Sequence, residues 1–332
     1  MSYYGTIRPK DQFDAEAAAD SLENAMKGRG CDKNRILEVL TRCSNAQRQM
    51  IRTPYKTKYG RDLITQLKKE LSGDFEDVMI GLMDTQTKYD VVQLRKAVKG
   101  LGTNEKVLIE LLCSRTKEEM IAIKNEYQNA YGKTLESAII GDTSGLFQRI
   151  LVSLIQANRD ESDHVDPVKA NHASLFKTSC GFLIMKKDAR KLYNDGEKKF
   201  GTEESTFTAI LLAQNFRQLE LVFKEYEKIA GHPIEKAIES EFSGDAKDGF
   251  LTLIKCIRNK PAYFAEELYK SMKGFGTRDN DLIRIIISRS EIDLVLIRQE
   301  FEKMYKKPLE DFIKSDCSGA YRDALISIVR GN

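Results

Sequence analysis

The chain has 332 residues, 41% apolar and 31% charged, and its 53 basic and 50 acidic side chains leave a net charge of only +3 at pH 7. That length supports several small buried cores, and the near balance of charge excludes a broad nucleic-acid footprint. No run approaches the roughly 20 apolar residues of a membrane-spanning helix, and the opening MSYYGTIRPKDQF has no apolar stretch of signal-peptide length. A soluble protein made in the cytosol is therefore expected.

In chain order, a tail (1–13) leads into a first unit (14–85). It is read as a helix, a glycine turn ending at Gly30, a helix with Ile36, Val39 and Leu40 on one face, a helix N-capped by Ser44, more helix, and an acidic loop at Glu70. The second unit (86–158) repeats this with Gly102, the face Leu108, Leu111 and Leu112, the cap Thr116 and the acid Asp142. An extended linker (159–186) follows. The third unit (187–259) carries Gly201, Phe207, Ile210, Leu211, the cap Asn215 and Glu241. The fourth (260–332) carries Gly276, Leu282, Ile285, Ile286, the cap Ser290 and Asp316. Gln47, Glu119 and Gln218 stand three residues after their caps, completing capping boxes, and Asp293 is a near match. Successive turn glycines lie 72, 99 and 75 residues apart, so the chain reads as two repeats, a linker and two repeats, all-α throughout.

The acid follows its turn glycine by 40 positions in every unit. A tight glycine loop between helices adopts angles that other residues resist and can turn several carbonyl oxygens toward one point. Calcium takes 6–8 oxygen ligands, carbonyls and carboxylates among them. Three carbonyls and a bidentate carboxylate supply about five, which leaves room for water or a phospholipid phosphate. Ion and lipid would then bind cooperatively, each completing the other's site. A single such loop is more simply a helix C-cap beside a solvated acid; four in one register point to a cation site.

Other chemistry finds little support. Gly132-Lys-Thr134 resembles the end of a phosphate loop but aligns with Tyr59-Gly, Ala230-Gly and Tyr305-Lys, and is read as a structural corner. His164, His172 and His232 form no ligand cluster and are read as solvated. No nucleophile–base pair suggests an enzyme. The six cysteines lack C-x-x-C spacing and are expected reduced, with Cys180 in the linker the freest to pair.

With these residues in view, the chain resembles the annexin family over nearly its whole length. The pattern G-x-G-T, 38 residues, then Asp or Glu matches at Gly100–Thr103 with Asp142 and at Gly274–Thr277 with Asp316. At Gly28–Cys31 with Glu70, Cys31 replaces the threonine; at Lys199–Thr202 with Glu241, the first glycine is missing. GDTSG (141–145), ANRD (157–160) and LIRIIISRSEIDL (282–294) also look like annexin sequence.

The resemblance implies four five-helix repeats of about 70 residues packed in a slightly curved disc, with calcium loops on the convex face. It implies carbonyl ligands from Met26, Gly28 and Gly30; Val98, Gly100 and Gly102; Gly196, Lys199 and Gly201; and Met272, Gly274 and Gly276. These join the carboxylates of Glu70, Asp142, Glu241 and Asp316, for up to four main Ca2+ sites. Phe200 and Phe275 at loop tips are candidates for lipid contact.

Cys31 is a poorer helix cap than threonine, and Asp32 is expected to take over. Cys43 and Gln214 stand where Arg115 and Arg289 keep the family's arginine, which puts local helix packing there in question. The linker's HASLFKTSCGFLIMKK is read as a docked helix or a partner surface. The function expected is calcium-dependent peripheral binding to anionic phospholipid membranes, by a protein monomeric in solution, able to self-associate on membranes, cytoplasmic and reversibly membrane-associated. Export to the cell surface without a signal stays open. The rival readings are a helical-repeat protein scaffold indifferent to calcium and a channel former, the latter disfavoured by the absence of a spanning segment.

Overall fold

The structure, a computed structural model, describes residues 4–28, 30–100, 102–159, 180–197, 203–274 and 276–332, with backbone alone for 180–187. Among these residues every regular element is a helix. Repeat one holds α1 (Ala15–Met26), α2 (Lys33–Thr41), α3 (Asn45–Tyr59), α4 (Leu63–Glu70) and α5 (Gly73–Met83). Repeat two holds α6 (Gln86–Val98), α7 (Glu105–Ser114), α8 (Lys117–Tyr131), α9 (Leu135–Asp142) and α10 (Gly145–Gln156). Next come α11 (Cys180–Asp195), α12 (Glu204–Ala213), α13 (Phe216–Ala230) and α14 (Ile234–Glu241). The long α15 (Gly244–Met272) breaks at Asn259 (φ −161°, ψ 91°). Pro261, two residues on, lacks the N–H that a continuous helix would need there. The chain closes with α16 (Asp279–Arg289), α17 (Leu294–Tyr305), α18 (Leu309–Asp316) and α19 (Gly319–Arg330).

Two compact units form: one from Met1–Tyr89 with Pro261–Asn332, the other from Asp90–Lys260. The apolar face predicted for the second helix of each repeat is buried, Leu40, Leu108, Phe207, Leu211, Leu282, Ile285 and Ile286 among the most enclosed. Val39 alone is half-exposed, where it lines a cleft of about 450 Å³ beside Phe13 and Arg35. Each such side chain contributes about 1.5–3 kcal/mol when fully buried.

The capping boxes at Ser44–Gln47 and Thr116–Glu119 form in full, and Asn215 Oδ1 accepts the Gln218 N–H at 2.8 Å. Ser290 departs from the expectation. It continues the helical turn, its hydroxyl donates back to Ile287 O, and Asp293 begins α17 without a side-chain cap. The N-terminal segment causes the difference: Thr6 and Ile7 donate their N–H groups to Ser290 O at 2.7 and 3.1 Å. The Asp293 carboxylate turns onto the Arg289 guanidinium. The corner glycine Gly132 is a left-handed C-cap, as are Gly60 and Gly231.

The two repeats that lack the arginine after their second helix recruit another. Arg48, buried to 1% exposure, donates to Leu40 O, Cys43 O and Leu82 O and pairs with Glu291. Arg159 donates to Leu211 O and Gln214 O. Leu40 and Cys43 occupy the same register positions in repeat one as Leu211 and Gln214 in repeat three. The orphan carbonyls that close each helix are thus met by a cation from elsewhere in the same unit. The last residues of the expected linker, 180–186, lie in α11, which packs along α13.

Cys31, Cys43, Cys113, Cys256 and Cys317 are free, and all but Cys31 are buried. Burial pushes the Cys43 thiol up to about 11 and the Cys317 thiol to about 12. The thiolate is the reactive form. Alkylation of the folded protein at pH 8 should therefore spare Cys43, Cys113, Cys256 and Cys317, and denaturation should release all four, as peptide mass mapping would record.

Candidate cation-binding loops

In three repeats the first helix ends on a buried apolar residue, Met26, Val98 or Met272, and an exposed lysine follows: Lys27, Lys99 or Lys273. The loop then runs through two glycines at positive φ: Gly28 and Gly30 (114° and 97°), Gly100 and Gly102 (144° and 93°), Gly274 and Gly276 (117° and 86°). An L side chain is strained in that region, so the loop needs glycine. A backbone hydrogen bond closes each loop at the same register. Asp32 N donates to Ala25 O (2.8 Å), Asn104 N to Ala97 O (2.9 Å) and Arg278 N to Ser271 O (2.8 Å). All six glycines are exposed, and their carbonyls accept no hydrogen bond from the described residues.

The distant acids reach these loops. Thr103 Oγ1 lies 3.0 Å from Asp142 O and 3.2 Å from Asp142 Oδ2. Thr277 Oγ1 donates to Asp316 Oδ2 at 2.6 Å, with Asp316 O at 3.4 Å. The 40-residue spacing therefore brings loop and carboxylate together in repeats two and four.

Repeat one differs. Glu70 Oε1 accepts Gln66 Nε2 from its own helix at 3.0 Å. Burial first, and then the Glu70 carboxylate, push the neighbouring Cys31 thiol up, keeping it neutral. The cap of α2 is Asp32, whose Oδ1 accepts the Arg35 N–H at 3.0 Å. Its counterpart in repeat two is Asn104, not Thr103. The residue after the turn glycine is therefore no helix cap even where it is threonine, because its hydroxyl is turned to the acid.

In repeat three, Lys199, Phe200 and Gly201 lie outside the described residues, as does Phe275 in repeat four. What is described there is a longer closure: Glu203 N donates to Asp195 O at 2.9 Å, one residue further back than in the other loops. Gly196 donates its N–H to Leu192 O. Glu197 accepts from Tyr226 Oη at 2.7 Å and lies 3.1 Å from His232 Nε2. His232 is thus half-buried and partnered rather than solvated. Cys180 and the HASLFKTSCGFLIMKK stretch lie outside the described side chains.

One repeated element escaped the sequence reading. Each acid is the last residue of its helix, and three residues on a glycine at positive φ opens the next: Gly73 (62°), Gly145 (63°), Gly244 (55°) and Gly319 (61°). All four lie 43 positions after their turn glycine, the same register that marks the acids.

Among the described residues no group of three or more His, Cys, Asp or Glu side chains could hold a metal. The donors that fit a cation are instead exposed glycine carbonyls beside one carboxylate. These are hard oxygen ligands, the set that suits calcium rather than a thiol- or imidazole-seeking metal.

A helical protein of four repeats with an acid at one distance from each glycine turn, facing its loop in repeats two and four, defines the class. The annexin family model matches residues 16–82, 89–154, 187–253 and 263–328. Annexin A4 of Bos taurus is 49% identical over 328 residues, covering 99% of this chain and 98% of that protein. The structure of annexin III superposes with a TM-score of 0.93 at 40% identity, covering all of this chain and 98% of that one. Calcium-bound annexin (Sm)1 superposes with a TM-score of 0.82 at 32% identity, covering 99% and 93%. The chain belongs to the annexin family.

Proposed function

We propose that this annexin binds anionic phospholipid membranes peripherally and in a calcium-dependent way, its loops presenting Ca2+ to lipid phosphate. The observation that carries the reading is the pairing of Thr103 with Asp142 and of Thr277 with Asp316, which sets a carboxylate beside exposed, unpartnered glycine carbonyls. The calcium-bound state named for annexin (Sm)1 supports the choice of ion. The ligands would be the carbonyls of Met26, Gly28 and Gly30 with Glu70; of Val98, Gly100 and Gly102 with Asp142; and of Met272, Gly274 and Gly276 with Asp316. Gly196, Lys199 and Gly201 with Glu241 would form the third set.

A bound calcium would supply positive charge and open coordination positions for a lipid phosphate. The chain's part is to hold neutral carbonyls and a single carboxylate at each loop, so that the ion's charge is not cancelled. Without the ion, the four acids repel an anionic surface. The protein would thus be cytoplasmic and reversibly membrane-associated, with a role in membrane organisation, trafficking or repair, and it would act by binding rather than catalysis.

The test is co-sedimentation with phosphatidylserine vesicles in calcium and then in chelator. Binding in calcium that chelator reverses is the expected result. Binding indifferent to calcium would reject this reading in favour of a protein-interaction scaffold.

A further inference from the structure

We propose, resting on the calcium reading above, that Thr103 and Thr277 are positioning residues that hold the acids of the second and fourth loops in place, and that Cys31 leaves the first loop's acid untied, so that it fills after those two. Three observations support this. Among the described residues the threonine hydroxyl ties loop to acid across 39 residues of sequence in repeats two and four, while Thr202 of repeat three lies outside the described residues. Neither hydroxyl caps a helix: the cap of α7 is Asn104, and α16 begins after Arg278 without a side-chain cap. Where the sequence has cysteine, the tie is absent, and Glu70 is held by Gln66 on its own helix instead.

The chemistry follows from the donor. A hydroxyl is a good donor to a carboxylate, and a thiol a weak one. A carboxylate already fixed beside the loop loses little rotamer freedom when an ion arrives. In the first loop, Glu70 must leave the Gln66 amide and order a longer side chain. One hydrogen bond of ordinary net strength corresponds to about a threefold to tenfold change in affinity.

The experiment uses full-length protein in single-loop backgrounds, with the other three acids changed to Ala. It reads the calcium concentration at half of the calcium-induced rise in Tm without lipid, and at half-maximal phosphatidylserine vesicle binding. With only Asp142 kept, Thr103→Val should raise both midpoints about threefold to tenfold, and Thr103→Ser should restore them. With only Glu70 kept, Cys31→Thr should lower both midpoints by a similar factor, a gain that a folding defect cannot imitate. Melting in chelator serves as the control, because a merely structural role would move it and leave the midpoints unchanged. Unchanged midpoints in Thr103→Val together with no gain in Cys31→Thr would overturn the positioning role while the calcium reading stands. A wild type whose Tm and vesicle binding ignore calcium would defeat both.

Discussion

With Glu70, Asp142, Glu241 and Asp316 all changed to Ala, the protein should stay in the supernatant when phosphatidylserine vesicles are sedimented in calcium. In chelator it should melt within about 3 °C of the wild type. The second half of that result follows from where the acids sit. Each is the last residue of a helix, where its charge faces the negative end of the helix dipole at a cost of about 0.3–1 kcal/mol. Removing it relieves that cost and loses a local hydrogen bond worth about 0.5–1.5 kcal/mol, so the two nearly offset. Four acids kept in an unfavourable place are what a ligand requirement leaves behind. Calcium should raise the wild-type Tm by mass action and leave the variant's where it was. Calcium-dependent sedimentation of the folded variant would show that these carboxylates are not the ligands.

Arg115→Ala should destabilise the protein by about 3–5 kcal/mol, seen as a fall of roughly 10 °C in the unfolding of the Asp90–Lys260 unit. The side chains of Arg115 and Asp90 are 0% and 1% exposed and share two hydrogen bonds of 2.6 and 2.7 Å. Burial works against the guanidinium charge, but Asp90 beside it overcomes this and pushes the Arg115 pKa up. Removing the arginine takes two hydrogen bonds and a neutralising charge from a buried carboxylate. Replacing both partners together, as Asp90→Leu with Arg115→Met, should recover most of the loss, because well-packed apolar residues can substitute for a buried ion pair. A single-variant loss under about 1 kcal/mol, the range of an exposed pair such as Arg35–Glu38, would mean water reaches the pair. Denaturant unfolding of the two single variants and the double variant settles it.

The repeat register made most of the fold legible. Apolar spacing placed Leu108, Leu111 and Leu112 on one buried face, and the capping boxes at Ser44 and Thr116 formed as read. The register failed at Ser290 because a segment more than 280 residues away in sequence claims its carbonyl, a competition that local pattern does not record. Spacing likewise found the loops and acids but not the job of Thr103. Threonine before a helix looks like a cap, and only the fold reveals that its hydroxyl has a better acceptor in Asp142. The missing arginines at positions 43 and 214 looked like local damage, whereas Arg48, five residues after Cys43, and Arg159, 55 residues before Gln214, donate to the carbonyls at those helix ends.

The two units differ in when they can be made. The Asp90–Lys260 unit is one continuous stretch, so it can fold as soon as that stretch has left the ribosome. The other is built from both ends of the chain, and its last stitches tie Asn332 to Thr6 and Arg8. At 5–20 residues per second, the final 72 residues (261–332) take about 4–14 s to synthesise. During that interval Thr6, Ile7 and Thr41 lack the Ser290, Ser327 and Ile328 groups they bond in the folded unit. The faces of α2 and α5 that the last repeat covers stay open to chaperones and proteases until that repeat arrives.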